Sequence, residues 1–302
     1  MKNIIIISMY QNFNYENNVF TNKYFKDFNF IKDRESQDID IILCGSFIND
    51  NDYKYIKSKK AYKILWISEP IQHHFKNPYK LYLEKSVFHF YFGCIYNNIK
   101  SNHFKFPIYI DYYNSYDEPS VFENINKKFK ISTLEKKYFC ALICRHDRWK
   151  TRTNIYNSLQ NIDHIICPSK LFNNYSNDEF NKIGKKKFLE DFIFNICPEN
   201  TYTDLKGYIT EKVMDACNSG CIPIYLEDIM DDIDKKIFNV NRILFYKNNK
   251  KSIQELKDKI NSLYSNKKNL LDFYNQDIFL PNAYEEINNM EKNLKDAIKR
   301  IT

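Results

Sequence analysis

The sequence predicts an α/β protein built on parallel β-sheets. Its apolar residues fall in short runs rich in Ile, Phe and Tyr, and polar segments of helical length separate these runs. Apolar strands that alternate with helical segments are typical of βαβ units, whose parallel sheets are covered on both faces. The hydrophobic fraction of 43% and the aromatic fraction of 17% supply a packed core, which excludes a disordered or collagen-like chain.

Nine segments have the composition of strands buried in such sheets. In chain order they are residues 3–8, 40–44, 61–68, 88–94, 138–144, 162–167, 192–197, 222–226 and 242–245. Glycine is scarce, with 5 in the chain, and the G-x-G-x-x-G pattern of dinucleotide-binding folds does not occur. The sequence therefore predicts a parallel α/β architecture without the usual dinucleotide motif.

A charged segment at residues 114–137 interrupts this alternation and contains Pro119. Because a chain of 302 residues exceeds the roughly 100–200 residues of one domain, we expect two domains. The expected division gives residues 1–125 and 126–302. Apolar residues recur at helical spacing twice after residue 250, which predicts closing helices at the carboxyl end of the chain.

The charge balance and the cysteines limit the classes of function. The chain has 45 Lys and Arg against 38 Asp and Glu, a net charge of +7 that suits an anionic ligand but is too weak to indicate nucleic-acid binding. No apolar run approaches the ~18–20 residues of a membrane span. The 8 cysteines lie mostly inside apolar runs, where we expect small buried side chains and no metal site. We therefore expect a cytoplasmic protein without a transmembrane segment.

The first candidate for chemistry is Glu69, which follows a buried-type strand and precedes Pro70. In parallel α/β sheets, ligands bind beyond the carboxyl ends of the strands. A carboxylate there, among apolar neighbours, is able to act as a general base. The alternative is a carboxylate that stabilises the start of a helix through the helix dipole.

The second candidate is a basic segment at residues 145–152, directly after the predicted strand that ends at Cys144. It contains Arg145, Arg148, Lys150 and Arg152 against the single acid Asp147. Fixed cations followed by a helix N-terminus are what a phosphate or diphosphate requires. The alternative is a solvated basic loop.

The third candidate lies between two predicted strands, where Asn200 and Tyr208 precede the helix-capping Thr210. We expect Thr210 to cap a helix that runs to about residue 218 and ends at Gly220. Glu211 suits the first turn of this helix, whereas Lys212 opposes the helix dipole. A lysine placed against its local preference indicates that an anion lies nearby.

Residues 194–226 resemble the signature of glycosyltransferase family 10, the α-1,3/4-fucosyltransferases. The matching residues are Phe194, Glu199, Asn200, Thr201, Tyr208, Thr210, Glu211, Lys212, Ala216, Gly220 and Pro223. Upstream, Arg152 is similar to the family's phosphate-contacting arginine, and Glu69 to its strand-end acidic residue. The departures concern the sugar pocket: Pro198 stands in place of the usual Phe, and the gap from Asn200 to Tyr208 is longer than in bacterial relatives.

The resemblance implies a GT-B fold, with two Rossmann-like domains facing across a cleft and the nucleotide held by the C-terminal one. It also implies inverting transfer of L-fucose from GDP-fucose to a hydroxyl of a GlcNAc-containing glycan, without a metal ion. Glu69 is then the base, with Glu199 as the next candidate. Arg152, Asn200 and Lys212 bind the diphosphate. Glu211 accepts hydrogen bonds from the ribose, and Tyr208 positions the nucleotide or sugar.

Other functions remain open at this point. One alternative is the same fold with a different nucleotide sugar, and another is a catalytically silent glycan- or nucleotide-sugar-binding protein. A metal-dependent transferase with an Asp-x-Asp pair is a further alternative, because Asp38 and Asp40, and also Asp232 and Asp234, have this spacing.

Overall fold

The structure is a computed structural model that describes residues 1–9, 13–69, 87–94, 102–112, 118–147, 150–200 and 206–301. The chain divides into two compact units. Unit 1 contains Met1–Asn114 together with Ile287–Thr302, and unit 2 contains Ser115–Glu286. Helices and strands are numbered in chain order over the described residues.

Unit 1 is built on a six-stranded sheet in the order β2-β1-β3-β4-β5-β6, and all of its neighbouring strands are parallel. Its strands are β1 Asn3–Ile7, β2 Asn29–Ile31, β3 Ile41–Cys44, β4 Tyr62–Ile67, β5 Phe90–Gly93 and β6 His103–Lys105. Its helices are α1 Val19–Tyr24, α2 Asp50–Ser58 and α3 Ile108–Tyr112. Aromatic packing fills this core, with Phe20 stacked on Trp66 at 4.3 Å between ring centroids.

Unit 2 is built on a five-stranded parallel sheet in the order β11-β10-β9-β7-β8. Its strands are β7 Tyr138–Leu142, β8 Ile165–Ile166, β9 Phe192–Ile196, β10 Ile222–Leu226 and β11 Leu244–Tyr246. Its helices are α4 Pro119–Lys128, α5 Thr151–Leu159, α6 Asn177–Ile183, α7 Lys185–Leu189, α8 Glu211–Asn218, α9 Asp234–Ile237, α10 Lys250–Tyr264 and α11 Lys267–Tyr274. The last helix of the chain, α12, covers Ala283–Lys299.

The predicted α/β class is confirmed, and each of the nine predicted strands overlaps a strand of the structure. Two further strands, β2 and β6, were not predicted; they have three residues each and form the two edges of the unit 1 sheet. An edge strand is paired on one side only, so it needs neither the length nor the continuous apolar run by which the inner strands are recognised.

The two units differ from the expected division at residue 125 in two places. Residues 115–125, which include the start of α4, belong to unit 2. Residues 287–302 belong to unit 1, although we expected all closing helices in the second domain. Contacts of this terminal segment explain its position: Lys23 pairs with Glu291 at 2.7 Å, and Lys2 Nζ donates to the carbonyl of Ile301 at 2.6 Å.

Helix α8 ends as the sequence predicts. Ser219 is its C-cap residue, and Gly220 follows in the left-handed region with a φ of +70°. The amide of Cys221 donates to the carbonyl of Ala216 at 2.9 Å, which closes the helix end. A Cβ at Gly220 would lie 2.4 Å from the Phe129 ring, so this position needs glycine for space as well as for conformation.

All eight cysteines are buried and unpaired with one another, as expected for small apolar side chains. Across the described ranges, no helix combines the length and the apolar character needed to cross a membrane.

Candidate functional site

A buried carboxylate organises the carboxyl end of the unit 2 sheet. Glu199 follows β9, and its side chain has 0% exposure. Its Oε1 accepts hydrogen bonds from the Thr210 amide at 3.0 Å and the Tyr225 hydroxyl at 2.7 Å. Its Oε2 accepts from the Thr210 hydroxyl at 2.7 Å and from Lys212 Nζ at 3.1 Å. These four donors tie the loop after β9 to the start of α8 and to β10.

This environment makes Glu199 a structural anchor and disfavours it as the base. A base needs a free lone pair within reach of the acceptor hydroxyl, and each oxygen of Glu199 already accepts two hydrogen bonds. The neighbouring Tyr225 is equally closed to solvent. Burial, reinforced by the charge of Glu199, raises the pKa of Tyr225 well above its usual value, so this hydroxyl remains a donor.

The Glu199 carboxylate also offsets the positive charge of Lys212 at the start of α8. Thr210 caps the helix as predicted. Besides Glu199, Lys212 Nζ contacts the Thr210 hydroxyl at 2.9 Å. The expectation of an anion near Lys212 is therefore met within the chain, by Glu199. The Lys212 side chain nevertheless keeps 17% exposure.

Glu211 lies between two lysines. Its Oε1 is 3.7 Å from Lys212 Nζ and 3.9 Å from Lys185 Nζ, and Lys185 also pairs with the Asp215 carboxylate. Burial alone would raise the pKa of Glu211, but the two lysines and local hydrogen bonds hold this pKa below its usual value. Glu211 is therefore an ionised acceptor at neutral pH.

Lys185, which begins the short helix α7 before β9, was not predicted as a site residue. No sequence motif contains Lys185, because its contacts with Glu211 and Asp215 arise only when the fold brings α7 beside α8. Its side chain and that of Lys212 line the same small cavity, whose volume is about 10 Å³. The other lining residues are Ile143, Asn195, Ile196 and Pro198.

Arg152 lies in the first turn of α5, as predicted. The Asp147 carboxylate accepts hydrogen bonds from two amides of this first turn, those of Arg152 at 3.3 Å and Thr153 at 2.7 Å. Lys150 immediately before the helix has a φ of +57°, in the left-handed region. The basic segment therefore leads directly into a helix and is not only a solvated loop. Arg148 lies outside the described residues.

The structure brings Arg152 together with Asn200. The guanidinium, on a residue with 4% exposure, donates to Oδ1 of Asn200 at 2.5 Å and to the carbonyl of Glu199 at 3.4 Å. It also donates to the carbonyl of His146. Arg152 thus joins the segments that follow β7 and β9, which are neighbours in the sheet.

The remaining predicted residues have different surroundings. Tyr208 is buried, with 2% exposure, directly after Gly207, whose amide donates to the carbonyl of Ile229 at 2.6 Å. Glu69 belongs to unit 1, follows β4 as predicted and is half-buried. Pro70 and Thr201 lie outside the described residues.

Neither Asp-x-Asp pair resembles a metal site. Asp40 precedes β3, at the end of the sheet opposite to the strand exits, and accepts from the amide of Asn3 at 2.7 Å. Asp234 accepts from the amide of Asp231 at 3.0 Å, while Asp232 is exposed. In the part of the chain that the structure describes, no group of three or more His, Cys, Asp or Glu is placed to hold a metal ion.

Comparison with known proteins places this site in context. The sequence model of "Glycosyltransferase family 10 (fucosyltransferase) C-term" matches residues 132–293. An alpha-(1,3)-fucosyltransferase FucT from Helicobacter pylori is 30% identical over 140 residues, which are 45% of this chain and 27% of that protein. The match thus spans about a quarter of the curated relative's length.

Two solved structures resemble the whole chain. One is a crystal structure of an alpha1,3-fucosyltransferase, with a TM-score of 0.67 and 18% identity over 98% of this chain and 90% of that one. The other is an alpha1,3-fucosyltransferase with GDP-fucose, with a TM-score of 0.66, 17% identity and the same coverage. This likeness confirms the predicted GT-B fold.

Proposed function

This chain belongs to glycosyltransferase family 10, and we propose that it is an inverting enzyme that transfers L-fucose from GDP-fucose to a hydroxyl of a GlcNAc-containing glycan. One observation carries the proposal. Asn200, Glu211 and Lys212 of the family signature lie at the carboxyl end of the unit 2 sheet. Arg152 contacts Asn200 there, and Lys212 lies beside Glu211. Ligands bind at this end of parallel α/β sheets.

In the proposed reaction, Arg152 and Lys212 stabilise the diphosphate of the departing GDP. Negative charge accumulates on this group as the bond to the sugar breaks, and cations already held in place lower the energy of that state most effectively. The contacts of Arg152 with Asn200 and of Lys212 with Glu199 support such preorganisation. Two fixed cations offset the charge of the leaving group, and we therefore expect no requirement for a divalent metal.

Glu211 is proposed to accept hydrogen bonds from the ribose hydroxyls. A carboxylate serves this purpose only while it is ionised, and Lys212 and Lys185 favour that form by holding its pKa low. Tyr208 is proposed to position the nucleotide or the sugar, in keeping with its place in the signature.

Glu69 is the proposed base. It takes the proton of the acceptor hydroxyl as the oxygen attacks C1 of the sugar on the face opposite GDP, which inverts the anomeric centre. Its position at the exit of β4, half-buried in unit 1, supports this role. The oligosaccharide acceptor is proposed to dock on unit 1.

The eight unpaired buried cysteines favour a reducing compartment, for which we propose the cytoplasm.

A donor screen tests the proposal. Purified protein is incubated with an N-acetyllactosamine acceptor and GDP-fucose, or with other GDP-, UDP- and dTDP-sugars, and turnover and nucleotide-dependent thermal shift are measured. We expect turnover with GDP-fucose that persists in EDTA. Turnover with another nucleotide sugar alone would contradict the proposed donor. Nucleotide binding without turnover on a panel of acceptor glycans would favour a silent binding protein.

A further inference from the structure

We propose that Ser46 is a positioning residue that holds the backbone of Glu69 and thereby aims its carboxylate at the acceptor hydroxyl. This inference rests on the proposed function, in which Glu69 is the base. Ser46 is fully buried, with 0% exposure, and lies two residues beyond β3, whereas Glu69 lies two residues beyond β4.

The hydroxyl of Ser46 contacts the Glu69 strand exit at three points. Its Oγ accepts from the amide of Ser68 at 2.9 Å and from the amide of Glu69 at 3.2 Å, and it lies 3.3 Å from the carbonyl of Trp66, to which it donates. Two accepted bonds and one donated bond use the whole hydrogen-bonding capacity of a hydroxyl. A hydroxyl engaged in this way has one orientation.

The bonds occur where the β-ladder no longer supports the chain. The pairing of β3 with β4 ends at Cys44 and Leu65. Past that point the amides of Ser68 and Glu69 would lack a partner on the β3 side, and the Ser46 side chain takes the place of the missing strand carbonyl. A buried amide without a partner costs about 1–3 kcal/mol, so the hydroxyl has a strong effect on the path of the chain here.

Ser46 is itself held on both sides. The amide of Gly45 donates to the carbonyl of Ile7 at 2.9 Å, and the amide of Phe47 donates to the carbonyl of Ser8 at 3.0 Å. A Cβ at Gly45 would lie 2.5 Å from the Ser8 carbonyl oxygen, which shows how closely the two segments pack. The segment after β1 thus holds the backbone on both sides of Ser46, and the Ser46 hydroxyl in turn holds the backbone of Glu69.

This arrangement suits a base whose position must be exact to within a fraction of an ångström. Misplacing a reacting group by about 1 Å costs roughly 10²-fold in rate. The hydrogen bonds of Ser46 all go to backbone groups, so its removal should lower kcat through Glu69 alone and leave donor binding by unit 2 unchanged.

A double-mutant cycle tests this inference. Ser46→Ala, Glu69→Gln and the double variant are compared with wild type for kcat, KM for GDP-fucose and GDP affinity. We expect Ser46→Ala to lower kcat by roughly 10–100-fold with unchanged GDP affinity. In the Glu69→Gln background the same change should cost less than about 2-fold, because no base remains to be positioned.

Two further variants separate positioning from folding. Ser46→Cys keeps the side-chain volume and a weak hydrogen-bonding group, so it should retain more activity than Ser46→Ala; it takes the place of Ser46→Ala in the cycle if that variant does not fold. Thr21→Val is the matched control, since Thr21 is also fully buried in unit 1 and its hydroxyl lies 2.5 Å from the carbonyl of Tyr15 and 2.9 Å from that of Asn18. It should lower the melting temperature without a kcat effect that depends on Glu69.

The outcomes distinguish this inference from the proposed function. Equal losses from Ser46→Ala in both backgrounds, with Glu69→Gln strongly impaired, would overturn the positioning role and leave Glu69 as the base. Wild-type kcat in Ser46→Ala would overturn it as well. Wild-type turnover in Glu69→Gln would reject the base, and the role of Ser46 with it.

Discussion

The hydroxyl of Tyr225 donates a 2.7 Å hydrogen bond to Oε1 of Glu199, and both side chains are closed to solvent. Tyr225 belongs to β10, and Glu199 follows the neighbouring strand β9. The bond therefore joins two strand exits at the end of the sheet where the donor is proposed to bind. Because Glu199 also accepts a hydrogen bond from Lys212, the position of that cation depends on the buried contact between Tyr225 and Glu199.

Glu199→Gln should destabilise unit 2 strongly. The amide removes the negative partner of Lys212 and presents an NH₂ group to a site lined by donors. Breaking a buried ion pair costs about 3–5 kcal/mol. Urea unfolding measures the loss of free energy. Glu255→Gln is the control, because its ion pair with Lys251 is exposed and should contribute almost nothing. A loss as small as that of the control would contradict the anchoring role.

Arg152→Ala and Lys212→Ala should each weaken GDP binding, since each removes a charge-assisted contact worth about 1.5–3 kcal/mol, or roughly 10–150-fold in Kd. Calorimetry with GDP measures the effect. Arg152→Ala should also lower the free energy of unfolding, because the guanidinium joins two loops. Lys187→Ala, at an exposed position, is the control and should bind GDP like wild type. Unchanged affinity in both site variants would reject the diphosphate assignment.

Glu69→Gln should keep the shape of the side chain and remove its basicity. We expect GDP affinity equal to wild type and turnover lower by roughly 10²–10⁴-fold, the usual cost of losing acid–base catalysis. Steady-state kinetics and calorimetry with GDP provide the two measurements. A variant with weakened GDP binding and unchanged turnover would instead indicate that Glu69 has a structural role.

The stability that Glu211 contributes should depend on pH. Its pKa in the folded protein lies below its usual value, so the stabilisation is present above about pH 4.5 and is lost as the pH falls through the folded pKa. Denaturant unfolding of wild type and Glu211→Gln between about pH 7 and pH 3 tests this. The advantage of wild type should shrink on acidification. An advantage that stays constant would show that the lysines do not stabilise the ionised form.

Gly220→Ala should destabilise the protein by more than about 1 kcal/mol, because the position combines a positive φ with a close approach to Phe129. The same substitution in a Phe129→Ala background is the control, because the ring that a Cβ would meet is then absent. The difference between the two losses in thermal unfolding isolates the steric cost. Equal losses would mean that backbone conformation alone determines the glycine at residue 220.

The sequence by itself determined the class of fold, the inner strands, the cap and end of α8, and the residues of the family signature. These features are local, because apolar runs, a capping threonine and a glycine at a helix end act on their immediate neighbours in the chain. Signature residues are likewise close together in sequence, so the nearness of Asn200 to Lys212 was predictable.

Only the tertiary structure decided which distant residues meet. The strand order places β7 beside β9 and β9 beside β10, which brings Arg152 to Asn200 and Tyr225 to Glu199. It also places the exit of β3 beside that of β4, where Ser46 supports Glu69. A run of buried residues shows that a strand is covered but not which strand lies next to it, and hydrogen-bond partners across strands depend on that neighbour.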